Sequence, residues 1–262
     1  MDDILSKSYS QPLGRGMLYP PPPYSYRDAR MMIIMFEGSR TSIEPFLPAG
    51  VQLADMTPLC ILGAHFYPAS AFGPYHEAVT YVRVKFGGAL YMYAPMMFAS
   101  SEGAVAAGRE LWGFAKKFAV MDQARLSDQV VFTAERPRSQ RILTAAVTCD
   151  KLAKPAELEA VTHPTMSVRL IPSLRDPSNP AICELVATAN QKRYRQSAFG
   201  TDELWSGRPS LSIDSNSEVD PWHEFRPLRL LGGWFGHADL ELPAGQLLHD
   251  YKAQALRVPL EI

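Results

Sequence analysis

The stretch "VTYVRVKFGGALYMYAPMMF", residues 79–98, sets the fold class of this chain. It holds two runs of β-branched and aromatic residues on either side of Gly87-Gly88. Within the first, "YVRVKF" alternates without a break, so that Tyr81, Arg83 and Lys85 fall on one face of a strand and Val82, Val84 and Phe86 on the other. The same signature recurs in "ARMMIIMFEG" (29–38), "VVFTAE" (130–135), "RILTAAVT" (141–148) and "SVRLIPSL" (167–174), each bounded by Gly, Pro or polar turns. Helical signals are fewer. "SRTSIEPFLP" (39–48) opens on Ser/Thr caps and stops at proline, and "SEGAVAAGRELWGF" (101–114) starts with a Ser cap and a glutamate. "PAICELVATANQKRY" (180–194) and "PAGQLLHDYKAQA" (243–255) carry apolar residues at helical or strand spacing, undecided for the first. The sum predicts an antiparallel, β-dominated α+β domain with a few peripheral helices.

The 262 residues include 26 basic and 27 acidic ones, a net charge of −1, so no bulk field draws the chain to nucleic acid or to an anionic membrane. With 47% hydrophobic residues it can bury a full-sized core. No Ser/Gly linker or charge block divides it, which predicts one domain over 24–262 behind an arm at 1–23. In that arm "YPPPPY" (19–24) enforces an extended polyproline strap. Cys60, Cys149 and Cys183 are too scattered for a disulfide framework and read as reduced thiols. The first residues lack a basic leader followed by a long apolar stretch, and no run of about 18 apolar residues occurs. The expectation is a cytoplasmic protein.

Most familiar chemistries are absent. There is no GxSxG elbow or phosphate loop, and "YHEAVTY" (75–81) begins like HExxH but has Thr80 where the second histidine belongs. "LLGGWFGH" (230–237) lacks the GxGxxG spacing and reads as a bend or bulge. The histidines at 65, 76, 163, 223, 237 and 249 show no i,i+4 or i,i+2 pairing, so each reads as a structural or surface imidazole, and neither metal nor cofactor is expected.

The unusual feature is "GRELWGFAKKFA", residues 108–119, which sets two lysines among Trp112, Phe114 and Phe118. Lysine normally keeps its charge in water. A lysine amine attacks a carbonyl only when unprotonated, which desolvation or a neighbouring cation favours. After loss of water the protonated imine is an electron sink for a carbanion on the adjacent carbon. From these residues alone the alternative stays open: a strand whose lysine stems pack on aromatics while their heads stay in solvent. Glu77, in "YHEAV", reads by itself as a solvated carboxylate near a turn.

Three ordered blocks across nearly the whole chain resemble the acetoacetate decarboxylase-like superfamily. "EGAVAAGRELWGFAKKFA" (102–119) is similar to its signature, a GREL closely followed by a lysine pair; "RLIPSLRDPSNPAICELVA" (169–187) and "HADLELPAGQLLHDY" (237–251) resemble its later blocks. The resemblance implies a strongly curved, cone-like sheet or barrel, a homo-oligomer, a cofactor-free lyase and a small oxo-acid substrate. It implies that Lys116 forms the imine and that Glu77 moves protons. In that family the second lysine is credited with activating the first, yet alternation along a strand would aim Lys117 away from Lys116, leaving desolvation as the larger lever. Met97, Phe98, Trp112 and Phe114 are the expected pocket walls, and Lys117 a supporting residue.

Departures from the family pattern bear on the reaction. Phe114-Ala115 stands where decarboxylases usually show Tyr-Pro, and Leu62 in "CILGAH" (60–65) replaces a frequent glutamate. The arginine expected at the first strand falls on Ala29 in an ungapped alignment, leaving Arg30 or Arg27 as candidates for the substrate carboxylate. These departures tilt the expectation toward aldol, dehydration or hydration chemistry on a 2-oxo acid. True decarboxylation of a β-keto acid is the alternative, and a non-catalytic oxo-acid binder of the same fold a further one.

Overall fold

The computed structural model describes residues 8–253. Its strands are β1 (Tyr24–Glu37), β2 (Gln52–Leu53), β3 (Leu59–Tyr67), β4 (Tyr75–Phe86), β5 (Ala89–Ala99), β6 (Lys116–Phe118), β7 (Val120–Leu126), β8 (Gln129–Glu135) and β9 (Arg141–Thr148). There follow β10 (Lys151–Leu152), β11 (Thr165–Ile171), β12 (Ile182–Thr188), β13 (Gln191–Tyr194), β14 (Leu204–Gly207), β15 (Pro209–Ile213), β16 (Arg229–Leu242) and β17 (Gln246–Asp250). Two short α-helices, α1 (Arg40–Ile43) and α2 (Glu102–Ala107), a few 3₁₀ turns and one π-helical turn are the other described elements. None of the described helices is long and apolar enough to cross a membrane.

The larger sheet has 13 strands in the order β10-β14-β16-β1-β3-β4-β5-β11-β12-β17, with β13, β2 and β6 pairing beside this path. Its ends do not pair with each other, so it is an open sheet rather than a closed barrel. It is antiparallel apart from β5–β6 and β5–β11. The second sheet, β15-β9-β8-β7, covers one of its faces. "MMIIMF" shows how the sequence encodes this. Met32, Ile34 and Phe36 enter the core shared with the second sheet, while Met31, Ile33 and Met35 enter a separate core on the opposite face. A strand buried on both faces reads as a continuous apolar run, and each such side chain contributes about 1.5–3 kcal/mol by leaving water.

Both segments whose spacing suits a helix or a strand form strands. β12 lies between β11 and β17, so backbone pairing on both edges decides the conformation. The glycine-rich "LLGGWFGH" lies inside β16, where the ladder to β1 slips between Met35 and Phe36, the expected bulge.

Candidate active site

The lysine pair owes its position to an irregular turn. Helix α2 continues into a single π-helical turn over Gly108–Trp112, a conformation that recurs at functional sites. Gly113 closes it at φ 73°, in the left-handed region, where a Cβ would stand 2.3 Å from the Arg169 backbone. Ser167 Oγ donates to the Trp112 carbonyl at 2.6 Å, and Arg169 Nε donates to the Glu110 carbonyl at 2.6 Å. Together these bonds anchor the turn to β11. The chain then enters β6, which runs parallel to β5 with Lys116 opposite Met97.

In β6 the two lysines part. Lys116 turns into the second core with its side chain 4% exposed, and Nζ donates to Glu77 Oε2 at 2.7 Å. Lys117 turns to the opposite face, where Nζ lies 2.9 Å from Asp220 Oδ1, a carboxylate that also pairs with Arg136 at 3.0 Å. The second ammonium is therefore engaged elsewhere. Lys116 is flanked by the rings of Phe114 at 5.6 Å and Tyr75 at 5.7 Å. Gly108 makes room for it: a Cβ there would stand 2.7 Å from Lys116 Cδ.

Glu77 arrives on β4 and faces β3, where His65 is its cross-strand partner. Tyr67 donates a long hydrogen bond of 3.4 Å to Glu77 Oε1. Burial, reinforced by the nearby Glu77 charge, pushes the Tyr67 and Tyr75 phenols far above their ordinary range, so both remain protonated donors. Burial holds His65 down to about 4 against the opposing pull of Glu77, so its imidazole is neutral. Its Nδ1 has no hydrogen-bond partner among the described residues.

Lys116, Glu77 and Met97 line an inner chamber of about 70 Å³, walled also by Tyr26, Tyr67, Phe114 and Leu242. An outer cavity of about 780 Å³ adjoins it, and Met31, His65, Tyr81, Asn190 and Leu240 line both. The structure thus brings Lys116, Glu77, Met97 and Phe114 together.

Other expected site residues lie elsewhere. Phe98 alternates to the opposite face and packs on Trp222 at 4.8 Å. Trp112 stacks behind Phe114 at 5.9 Å and donates to the Pro243 carbonyl, lining neither cavity. Phe118 is 52% exposed and desolvates nothing at Lys116. Arg27 and Arg30 also miss both cavities. The β1 ladder to β16 slips between Tyr26 and Ala29, where Asp28 has φ 54°, and beyond it Met31 faces the cavities, so Arg30 faces away. Arg30 lies over the Phe66 ring at 5.5 Å, and Arg27 pairs with Asp239 at 3.1 Å with its side chain 67% exposed. Ala29 is buried in the core on the cavity face without a guanidinium to offer. Leu62 belongs to the opposite core, so its identity takes nothing from the pocket; the cavity-facing residues of β3 are Ile61, Gly63, His65 and Tyr67. Sequence reading missed His65, because a lone histidine carries no spacing signal. The pairing of β3 with β4 is what makes it a site residue.

Residues 9–253 match the acetoacetate decarboxylase (ADC) family profile. Acetoacetate decarboxylase 2 of Mesorhizobium japonicum is 28% identical over 255 residues, covering 95% of this chain and 92% of that protein. The crystal structure of acetoacetate decarboxylase from Legionella pneumophila superposes with a TM-score of 0.83 at 24% identity, covering 95% of this chain and 96% of that one. The enduracididine biosynthesis enzyme MppR, complexed with pyruvate, superposes with a TM-score of 0.76 at 18% identity, covering 93% and 98%. At these identities the two superpositions carry the fold.

Proposed function

Because the chain belongs to the acetoacetate decarboxylase family, whose members are lyases, we propose that it is a cofactor-free enzyme that forms an imine between Lys116 and a small oxo acid. The observation that carries this reading is the 2.7 Å contact between Lys116 Nζ and Glu77 Oε2 at a buried chamber. Proton transfer from Lys116 to Glu77 across this contact would leave a free amine as nucleophile and a carboxylic acid as proton donor. The free amine adds to the ketone carbon, Glu77 delivers the proton that turns the carbinolamine hydroxyl into leaving water, and a protonated imine remains.

Among the described lining residues of the inner chamber, Lys116 is the one cation beside the aromatic and aliphatic walls. A 2-oxo acid that keeps its carboxylate next to the imine would have only the imine's own charge to balance it, at a desolvation cost. A 3-oxo acid loses that charge as neutral carbon dioxide: the bond to the carboxyl carbon breaks, its electron pair moves into the imine nitrogen, and the enamine carbon takes a proton from Glu77, which has regained one from solvent after giving its first to the leaving water. This consideration favours decarboxylation over the chemistry that the sequence departures suggest. Aldol, dehydration or hydration of a 2-oxo acid is the second reading, supported by the neutral His65 and the protonated Tyr67 as donors to a leaving hydroxyl. A non-catalytic binder has no use for a lysine paired with a carboxylate at this depth. A homo-oligomer and a cytoplasmic location, both carried by the sequence reading, complete the proposal.

The test is intact-mass spectrometry after borohydride reduction with acetoacetate and, separately, pyruvate, followed by peptide mapping. An acetone-derived group on Lys116 supports decarboxylation, and a pyruvyl group with its carboxyl intact supports the second reading. No adduct with either would refute the imine.

A further inference from the structure

The chemistry at Lys116 leaves the outer cavity without a role, and a half-buried cation there has no carboxylate partner among the described residues. Lys192 lies on β13, opposite Leu240 across the β13–β16 ladder, and Leu240 is one of the residues that line both cavities. Its half-buried ammonium sits 4.9 Å over the Tyr194 ring, and among the described residues no carboxylate pairs with it. Lys192 and His65 both line this cavity, and the Lys192 charge adds to burial in opposing protonation of His65. The other charged or titratable groups on the same walls are Tyr81, Glu159, His163, Arg193 and Asp202, of which Glu159 and Arg193 are exposed. Burial pulls Lys192 down to about 8, so the charge is held at a cost that an anion would relieve.

The inner chamber limits what reaches Lys116 to a small carbonyl head. The rest of a bound molecule must pass Met31, His65, Tyr81, Asn190 and Leu240 into the outer cavity. Arg27 and Arg30 are turned away and Ala29 has no charge, so Lys192 is the half-buried cation facing that path. We propose that Lys192 is an anion subsite, and that the substrate is an oxo acid carrying, beyond its carbonyl, a second carboxylate that Lys192 binds. The proposal takes the position of the carbonyl from the imine reading. It adds a distal group that this reading does not require.

The test compares ketones that differ only in a terminal carboxylate: 4-oxopentanoate with 2-pentanone, and 5-oxohexanoate with 2-hexanone. The readout is the concentration that half-saturates borohydride trapping on Lys116. The carboxylates should half-saturate about tenfold lower, the scale of one charge-assisted hydrogen bond. Lys192→Met should abolish this preference and Lys192→Arg should largely keep it. A preference unchanged in folded Lys192→Met overturns the subsite. So does a Lys192→Met defect that is equal for acetoacetate and 3-oxoadipate turnover, since Lys192 would then hold the reacting carboxylate. Calorimetric titration of Lys116→Ala with 3-oxoadipate, the oxo acid that carries the second carboxylate, separates this proposal from the imine. Binding that persists in Lys116→Ala and disappears in Lys116→Ala/Lys192→Met supports the subsite even if no adduct is ever trapped; no binding in either variant refutes it.

Discussion

Gly108→Ala tests the geometry of the nucleophile with one methyl group. The added Cβ would stand 2.7 Å from Lys116 Cδ and 3.1 Å from Cε, whereas carbon atoms settle at about 3.5–4.0 Å. The lysine must therefore move by about 1 Å, because the methyl is fixed to the backbone of the π turn. Lys116 cannot move that far and keep its 2.7 Å contact with Glu77 between the Phe114 and Tyr75 rings. A misplacement of about 1 Å at a reacting group costs about 10²-fold in rate. Stability should change far less. Gly108 has φ −58° and ψ −45°, helical values that suit alanine and favour it by about 0.5–1 kcal/mol, while overpacking costs about 1–3 kcal/mol. The net loss of about 0–2.5 kcal/mol corresponds to a fall in Tm of several degrees for a chain of this size. The assays are the rate of borohydride trapping on Lys116 and a thermal melt on the same preparation. A folded Gly108→Ala that traps acetoacetate at the wild-type rate would refute the placement of Lys116 against this turn.

Further outcomes follow from the same geometry. Lys116→Ala should abolish trapping and turnover. Lys117→Ala should trap normally and lose about 1 kcal/mol of stability, because Arg136 still pairs with Asp220; equal loss of trapping in both would remove the case for opposed lysines. Glu77→Gln should lower turnover by about 10²–10⁴-fold through the lost proton transfer, and a smaller effect would move the acid to another group. His65 has a folded value of about 4, below that of a free imidazole, so the unfolded chain binds the extra proton. Its contribution is complete above about pH 6.5 and is lost as the pH falls to about 4, by about 3 kcal/mol. Denaturant titrations of wild type and His65→Phe should show that slope only in the wild type. The preference for a distal carboxylate should fade as the pH rises through about 8, where Lys192 loses its charge; a preference flat from pH 7 to 9 would argue against Lys192 as its source.

Local pattern was enough to place much of this protein. Alternation in "YVRVKF" and the uninterrupted apolar run of "MMIIMF" encode strands buried on one or both faces, because side chains alternate every residue along any strand whatever its partners. The same rule separated Lys116 from Lys117 before any pairing was known. Alternation tells which residues share a face but not which face meets the cavity. One slipped pair between Tyr26 and Ala29 determined where Arg27, Ala29 and Arg30 point, and such a slip leaves no mark in composition or spacing. Leu62 and Phe98 fell on the far face for the same reason. The remaining site groups came together only through pairing between distant segments. The β3–β4 ladder sets His65 opposite Glu77, and the β13–β16 ladder carries Lys192 to the outer cavity from more than seventy residues beyond Lys116. The chain's own order holds its chemistry as separate letters; hydrogen bonding between remote strands puts an amine, a carboxylate, an imidazole and a second amine along one cavity.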